Sequence, residues 1–356
     1  MTPLEVLTQN PRFFRICRHD GPVRVPLHLE NTRLNEAAFI CGGGPQLSET
    51  AAALGECRTV TKVAINNAWT VVWPDLYVTS DLLNRTPPGI LQTAVVMKFL
   101  PTSRRHDAVN RSRQLACEYP NVVFYNRENW CEDAKSPGAL CYSNFCDPRR
   151  PGIAWIGDTL LAAIDICYKL GYRRLYLFGC GFQMDLARPY AYPEHVDADY
   201  VQRNNTHYRR VVASLRDLRP HFWAAGLELF SSTPDSLLND HFPYVEPHEA
   251  IAAEAGRIDP DRDTHGHYQQ PWRNVADQRD RSLWRPFVSA RHYFADKPLA
   301  NREAARPART NGQYDTARAG DHRRTTTNAP TADENHVVQS DGKLWIDGEL
   351  VAQVTD

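Results

Sequence analysis

Short apolar runs alternate with helical patterns over most of this chain, up to about Tyr244. The runs, such as AAFIC (37–41) and TKVAIN (61–66), are only about four to seven residues long. Runs of this length between helices are typical of parallel strands that are buried on both faces. The pattern predicts an open, doubly wound, mostly parallel α/β sheet of the Rossmann-like kind. In such a sheet a ligand binds outside the carboxyl ends of the strands.

The same pattern places the individual elements. The predicted strands are 37–41, 61–66, 75–80, 93–99, 121–126, 174–180 and 227–232. The predicted helices are 47–56, 105–118, 157–170 and 203–219, with a helix or turn around 68–73.

The composition changes near Glu246, where aliphatic residues become scarce and Arg, Asp, Thr and Ala accumulate. Such a segment buries too little apolar surface to offset the entropy of ordering it. The mean hydropathy of −0.51 reflects this polar stretch. We therefore predict a lead-in at 1–36, a nucleotide-binding transferase domain at 37–246 and a linker or poorly ordered tail at 247–335.

Two parts of the tail differ from the rest. An aromatic island at 271–294 carries Trp272, Trp284, Phe287 and Phe294, which are suited to docking on the domain or on a partner. At 336–356, two Asp-Gly pairs separate short strand-like runs. Asp-Gly favours a two-residue hairpin turn, so this segment predicts a small terminal β-meander.

The charge and cysteine content narrow the class of protein. The chain has 41 Lys+Arg and 42 Asp+Glu, a formal charge of −1. This balance argues against a protein held to nucleic acid by bulk charge, although it leaves a local basic patch open. No apolar run reaches the roughly 18 residues of a membrane span, and the start lacks the order of a secretion signal. We expect a cytoplasmic protein without a membrane span.

The nine cysteines are irregularly spaced, and several lie in apolar runs, which favours reduced core thiols over disulfides. Cys131, Cys141 and Cys146 come close together in sequence but lack a CxxC pair, so we predict no metal site there.

A glycine turn follows the first predicted strand directly. It consists of Gly42, Gly43, Gly44 and Pro45, and a predicted helix starts just after it. Glycines let a backbone approach a ligand, and free amides at a helix start favour a phosphate. The spacing matches neither a Walker loop nor the dinucleotide GxGxxG pattern. Phosphate binding and a turn that needs glycine only for steric reasons both remain open.

Polar residues also close the next two predicted strands. Asn66 and Asn67 end the second, while Ser80 and Asp81 end the third. Amide and hydroxyl groups at one sheet edge suit a ribose and a base, which need paired donors and acceptors. The alternative is that the asparagines are turn residues and Asp81 a helix N-cap.

The order of these motifs resembles a family of Rossmann-like transferases. GGGPQL, AINNAW, PDLYVTSD, LGY and RRLYLFGCGFQ occur here in the order seen in that family. It includes the archaeal-type 6-hydroxymethyl-dihydropterin diphosphokinase and the motility accessory factors. The chain is also similar to bacterial sialyltransferases that use CMP-sialic acid. The resemblance covers about 37–240.

The resemblance implies roles for particular residues. The glycine turn, Pro45 and Gly179 would surround the nucleotide phosphates. Asn67, next to Asn66, would hold the ribose or cytosine, and Thr159 stands where the sialyltransferases have a substrate-contacting Ser. Of two tyrosines that stabilise the departing phosphate there, the first is replaced by Gln183 and the second matches Tyr190. A family Asp is replaced by Gly181.

The general base is less well matched. Thr206-His207-Tyr208 resembles a family element, but the family's catalytic His falls four residues later, at Val211. His207 can replace it only with a different local geometry, and the alternative assignment is a polar histidine on a helix face. A second candidate base, His195, lies in a polar stretch that resembles a lid.

These observations predict a glycosyltransferase that moves a sugar from a CMP-type nucleotide donor to a hydroxyl acceptor, with no cofactor required. Three alternatives remain. The first is a diphosphokinase that uses ATP and Mg²⁺ held by Asp81. The second is an inactive nucleotide-binding protein, and the third is a phage-type glycosyltransferase that acts on modified DNA bases. Several arginines suggest either a basic rim for an anionic substrate or solvated surface charge; they are Arg149, Arg150, Arg173, Arg174, Arg203, Arg209 and Arg210.

Overall fold

The structure is a computed structural model of the 356-residue chain. It describes residues 11–16, 24–87, 89–109, 114–128, 145–154 and 157–268, and the backbone of three strands within 337–353. The chain divides into two compact units, Met1–Phe287 and Val288–Asp356.

The strands in the first unit are β1 (Phe14–Ile16), β2 (Arg24–Pro26), β3 (Ala37–Cys41), β4 (Thr61–Ile65), β5 (Leu76–Val78), β6 (Met97–Pro101), β7 (Val122–Tyr125), β8 (Arg127–Glu128), β9 (Ile153–Ala154), β10 (Arg174–Phe178) and β11 (Glu228–Ser231). The helices are α1 (Leu47–Glu56), α2 (Gly89–Gln92), α3 (Thr159–Leu170), α4 (Ala198–Ala224) and α5 (Pro247–Ala255). In the second unit β12 (Val337–Ser340), β13 (Lys343–Ile346) and β14 (Glu349–Gln353) form an antiparallel three-stranded sheet.

The main sheet of the first unit has nine strands in the order β11-β10-β3-β4-β5-β6-β7-β1-β2. The seven strands from β11 to β7 are parallel, whereas β1 and β2 are antiparallel additions at one edge. From β3 the chain runs outward through β4 to β7 and later returns to place β10 on the other side of β3. The predicted mostly parallel α/β sheet is confirmed, and its switch point lies between β3 and β10.

Helices cover both faces of the sheet. Alternate residues of β3 point to opposite sides: Ala38 and Ile40 pack with α3 and α4, whereas Phe39 packs with α1 and α5. Every residue of α3 is buried, Asp158 caps its N-terminus, and Gly171 ends it with φ of 111°. A left-handed residue at this position favours glycine. α3 therefore begins at the carboxyl edge of the sheet, with its first turn fixed by an aspartate.

The folded part continues past the predicted boundary at residue 246. Glu254 of α5 is fully buried and pairs with Arg174 at 2.9 Å, and it also accepts a hydrogen bond from Tyr176 at 2.8 Å. Further along, the Tyr268 hydroxyl lies 2.6 Å from that of Tyr172. Tertiary pairing orders this segment up to Tyr268 although its composition is polar, so the boundary prediction was wrong.

Other predictions differ in detail. Residues 105–109 and 114–118 form no α-helix; they contain a 3-10 turn at Ala116–Glu118 and a bridge between Ala108 and Leu115. Helix α4 is longer than predicted at both ends, and the lead-in contributes the unpredicted strands β1 and β2. The predicted terminal β-meander is present as β12–β14. The aromatic island at 271–294 and the rest of 269–336 lie outside the described residues.

Among the described helices, none combines the length and the apolar character needed to cross a bilayer.

Candidate active site

The loops after β3 and β10 contact each other at the switch point. Gly42 N donates to Phe178 O at 2.8 Å, and Gly44 N donates to Gly179 O at the same distance. A Cβ at Gly42 or Gly44 would lie only 2.8 or 2.6 Å from Gly179 O, and Gly179 itself has φ of +61°. The steric explanation therefore accounts for these three glycines, because two backbones cross here at close range.

The start of α1 offers few free amides to a phosphate. Leu47 N, Ser48 N and Glu49 N donate to the carbonyls of Gly44, Pro45 and Gln46. The amides of Gly42 and Gly44 are also occupied, as described above. In this conformation a phosphate at the switch point has to find most of its donors outside the glycine turn.

Gly43 differs from its neighbours because aromatic side chains cover it. Ala191 N donates to Gly43 O at 3.0 Å, and a Cβ at Gly43 would lie 3.0 Å from the Tyr192 hydroxyl. Tyr190 and Tyr192 stack with their ring centroids 4.9 Å apart and an interplanar angle of 7°. The absence of a side chain at Gly43 leaves the space that this pair of rings occupies.

The tyrosine cluster, defined as Tyr190, Tyr192, Tyr200 and Tyr208, connects the glycine turn to α4. The hydroxyls of Tyr190 and Tyr200 are 2.9 Å apart. Burial raises the pKa of Tyr190, Tyr192 and Tyr208 well above the usual range. These hydroxyls therefore stay protonated at neutral pH and are able to donate to an anion.

His207 and Asp158 form a pair beside this cluster. His207 Nε2 lies 3.0 Å from Asp158 Oδ2, and the two side chains are 42 % and 19 % exposed. The other carboxylate oxygen, Oδ1, accepts from Leu160 N at 2.7 Å as the N-cap of α3. Because the helix cap holds the carboxylate, Asp158 presents Oδ2 to the imidazole in a defined direction. The charge of Asp158 also raises the pKa of Tyr208, after the larger effect of burial.

The ends of β4 and β5 provide a second polar group of residues. Thr159 Oγ1 accepts from Ser80 N at 3.3 Å, which joins the start of α3 to the end of β5. Asn66, with φ of 50°, accepts a 2.8 Å hydrogen bond from Thr79 Oγ1. Asn67 is half-buried in the 3-10 turn Asn66–Thr70 rather than in a strand. Thr159 and Ser80 are both buried, and the Ser80 hydroxyl lies 3.3 Å from the Tyr125 hydroxyl.

Contacts thus bring several of the predicted residues together. Tyr190 and Tyr192 lie against Gly43, the Tyr190 hydroxyl contacts that of Tyr200 on α4, and His207 on the same helix contacts Asp158. Asp81 is exposed, but its charge contributes to the raised pKa of Tyr192, after the larger effects of burial and Glu194. His195 and Gln183 are exposed on the loop between β10 and α4.

Sequence reasoning missed Asp158 and did not assign roles to Tyr192, Tyr200 and Tyr208. The only local signal at Asp158 is that of a helix N-cap, which does not indicate a partner 49 positions away. A cluster of tyrosines drawn from a loop and a helix has no characteristic spacing.

In the part of the chain that the structure describes, no group of three or more His, Cys, Asp or Glu side chains is placed to hold an ion. Cys146 is buried there, and its amide donates to Asp165. Cys131 and Cys141 lie outside the described residues.

Comparison with known proteins gives little beyond this geometry. No family model and no curated protein matches the chain. A sialyltransferase from Campylobacter jejuni, whose structure is described as in complex with a substrate analogue, cytidine-5'-monophosphate, is similar at 12 % identity. The likeness covers 61 % of this chain and 87 % of that one with a TM-score of 0.36. At that level the likeness carries no argument about this chain.

Proposed function

We propose that this protein is a glycosyltransferase that moves a sugar from a nucleotide donor to a hydroxyl acceptor. The observation that carries the proposal is the His207–Asp158 pair beside the tyrosine cluster, at the switch point of the sheet. A general base and a set of neutral donors are the two groups that such a transfer requires.

His207 acts as the general base in this proposal. An ionised Asp158 accepts a hydrogen bond from Nε2–H, so the lone pair of the neutral imidazole lies on Nδ1. The exposed fraction of 42 % leaves the ring accessible to an acceptor. Nδ1 takes the proton of the acceptor hydroxyl while that oxygen attacks the anomeric carbon of the sugar.

The tyrosine cluster acts on the leaving group. As the bond between the anomeric carbon and the phosphate oxygen breaks, its electron pair stays on the phosphate. Neutral hydroxyls donate hydrogen bonds to this growing charge, and half-buried donors held in advance stabilise it more than water does. Tyr190 has this role in the predicted assignment, and the geometry adds Tyr192 as a neighbour.

The donor nucleotide would lie across the ends of β3, β4 and β5. Asn66, Asn67 and Asp81 offer amide and carboxylate groups to a ribose and a base. The choice of a CMP-type donor rests on the motif resemblance alone. The diphosphokinase and inactive-protein alternatives use the same edge of the sheet; the binding experiment below separates the kinase, and a measurable kcat in the parent protein separates the inactive protein.

A thermal-shift panel tests the proposal with CMP, CDP, UDP, GDP and ATP, each with and without Mg²⁺. A ligand at 100 times its Kd stabilises the native state by about 2.7 kcal/mol, which is readily measured. We expect the unfolding temperature to rise with CMP or CDP without metal. A rise only with ATP and Mg²⁺ would support the kinase, and no rise with any nucleotide would contradict a nucleotide donor.

Gly43→Val provides the matched variant for this panel. Its side chain would displace the stacked pair from above the glycine turn, so we expect the nucleotide shift to be lost. Gly55→Ala is the control, because a Cβ at Gly55 meets nothing within 4 Å. An unchanged shift in Gly43→Val would show that the nucleotide does not bind at this turn.

A further inference from the structure

The outer face of α4 carries an unusual concentration of positive charge. Its five arginines are all exposed: Arg203, Arg209, Arg210, Arg216 and Arg219. The acidic residues on the helix are Asp199 and Asp217, so the helix has a formal charge of +3 (5 − 2) in a chain whose total is −1. A local basic face therefore exists despite the neutral total.

Most of this charge has no acidic partner. Within the part of the chain that the structure describes, Arg216 pairs with Asp217 at 2.8 Å, and the other four make no ion pair. Several arginines elsewhere do have acidic partners, since Arg174 pairs with Glu254 and Arg149 with Asp147. Like charges three to seven residues apart on a helix repel each other, so the fold gains nothing from this arrangement.

The arginines of α4 form two rows along the helix. Arg203 and Arg210, seven residues apart, lie on the flank of His207. Arg209 and Arg216 form the second row, which continues to Trp223, a side chain that is 83 % exposed. At about 1.5 Å per residue the distance from Arg203 to Trp223 is roughly 30 Å. The basic face is therefore longer than a single nucleotide, and a polymer with several phosphates is needed to contact all of it.

We infer that the acceptor is a nucleic acid, bound as a single strand along the outer face of α4. The inference rests on the proposed function for the transfer itself. Regularly spaced guanidinium groups contact successive phosphates, and an exposed Trp stacks on an unpaired base. The row of Arg203 and Arg210 then places the strand beside Nδ1 of His207, where an acceptor hydroxyl carried by a base or sugar is deprotonated.

Direct binding tests this inference without any need for transfer activity. The full chain is titrated against a fluorescently labelled 20-nucleotide single-stranded DNA of mixed sequence, and anisotropy gives Kd at several salt concentrations. Five phosphate contacts at about 0.7 each predict a slope of roughly −3.5 in log K against log salt. Affinity would then fall about 100-fold between 50 and 200 mM salt. Absence of binding at 50 mM salt would overturn the inference.

Charge-reversal variants locate the binding surface. Arg209→Glu, Arg210→Glu and Arg219→Glu should each weaken binding and reduce the magnitude of the salt slope by about 0.7. Arg58→Glu is the matched control, since Arg58 is 75 % exposed but lies before β4 at the other edge of the sheet. Equal effects from Arg58→Glu and the α4 variants would overturn the assignment to α4.

Trp223→Ala separates a nucleic acid from other polyanions. Stacking on one base predicts at least about fivefold weaker binding, with the salt slope unchanged. A polyanion without bases, such as heparin, should bind the parent and Trp223→Ala equally. If Trp223→Ala binds the single-stranded DNA as tightly as the parent does, the single-strand inference fails. It also fails if a double-stranded DNA of the same sequence binds the parent more tightly than the single strand does. A CMP response in the thermal-shift panel is independent of all these outcomes, so either proposal can fail alone.

Discussion

The two edges of the main sheet use the same kinds of residue in opposite ways. At the amino edge, where the parallel strands begin, the segment that ends at Tyr268 covers the strand ends. Thr264 Oγ1 donates to Asp75 at 3.0 Å, and the hydroxyls of Tyr268 and Tyr172 lie 2.6 Å apart. At the carboxyl edge, tyrosines and the His207–Asp158 pair are half-buried or exposed. The chemistry of tyrosine and aspartate is the same at both edges, and the difference is access to solvent.

This comparison shows which polar side chains are structural. Those at the amino edge are buried, paired with one another and out of reach of a substrate. At the carboxyl edge, Asp158 is fixed through Oδ1 by the N-terminus of α3 and contacts through Oδ2 the side chain of His207, which is 42 % exposed. A residue held in this way is both oriented and available, which a catalytic group requires.

The largest expected effect comes from removing the segment after Glu246, which covers the amino edge of the sheet. A chain that ends at Glu246 loses the hydrogen bonds that join Thr264 to Asp75, Tyr268 to Tyr172 and Glu254 to Arg174, and it loses the packing of α5 on the sheet. Each lost bond costs about 0.5–3 kcal/mol, and with the lost apolar burial the sum approaches the whole stability of a domain. We expect this chain to be unfolded by circular dichroism, whereas a chain that ends at Phe287 stays folded. A cooperative unfolding transition in the shorter chain would show that the amino edge does not need this segment.

The next effect is on catalysis at the carboxyl edge. His207→Ala should lower kcat by roughly 10²–10⁴-fold, the usual size of general-base assistance, with donor affinity nearly unchanged. Asp158→Asn retains a good helix cap but removes the carboxylate that orients the imidazole. We expect a fall in kcat with little loss of stability, and long-range ¹H–¹⁵N spectra should show a change in the tautomer of His207.

The corresponding variant of His195 should behave differently from His207→Ala. His195→Ala should leave kcat close to that of the parent, because His195 lies on the exposed loop. If His195→Ala is inactive and His207→Ala is active, the base lies on that loop and the His207–Asp158 pair is structural.

Smaller effects on stability and kcat are expected when one tyrosine from each edge, Tyr268 or Tyr190, is replaced by Phe. Tyr268→Phe removes a buried hydroxyl that bonds to Tyr172 and Arg33, and it should lower the free energy of unfolding by about 1–2 kcal/mol. Tyr190→Phe should change stability less and lower kcat more, because its hydroxyl faces the site. Urea denaturation and steady-state kinetics on both variants test the pair, and equal losses of stability would remove the distinction between the edges.

The smallest effect is the pH dependence at Asp75. Burial raises the pKa of this carboxyl, although the charge of Lys62 and hydrogen bonds from the Lys62 amide and Thr264 lower it. Because the folded pKa exceeds the unfolded one, the stabilisation is present below about pH 4 and is lost as pH rises through the folded pKa. Asp75→Asn should remove this dependence. Urea unfolding of both proteins from pH 4.5 to 8 measures it, and parallel curves would contradict the shift.

Local patterns in the sequence determined the parallel core of this protein. The bounds of β3 and α1 match their predictions residue for residue, and those of α3 match closely, because apolar periodicity, a glycine turn and caps are properties of neighbouring residues. The same is true of the terminal β-meander, because Asp-Gly pairs in a sequence favour hairpins. Polar residues at the carboxyl ends of the strands also followed from the order of the elements.

Only the tertiary structure decided the remaining features. The pattern at 105–118 indicated a helix, but the described residues there form turns and a bridge, because packing overrides weak local preference. The polar segment before Tyr268 is ordered by partners more than 90 positions away in the chain, such as Tyr172. Asp158 meets His207 only because α3 and α4 begin at the same sheet edge. Contacts of this kind depend on where the sheet brings distant segments together, and no local pattern records that.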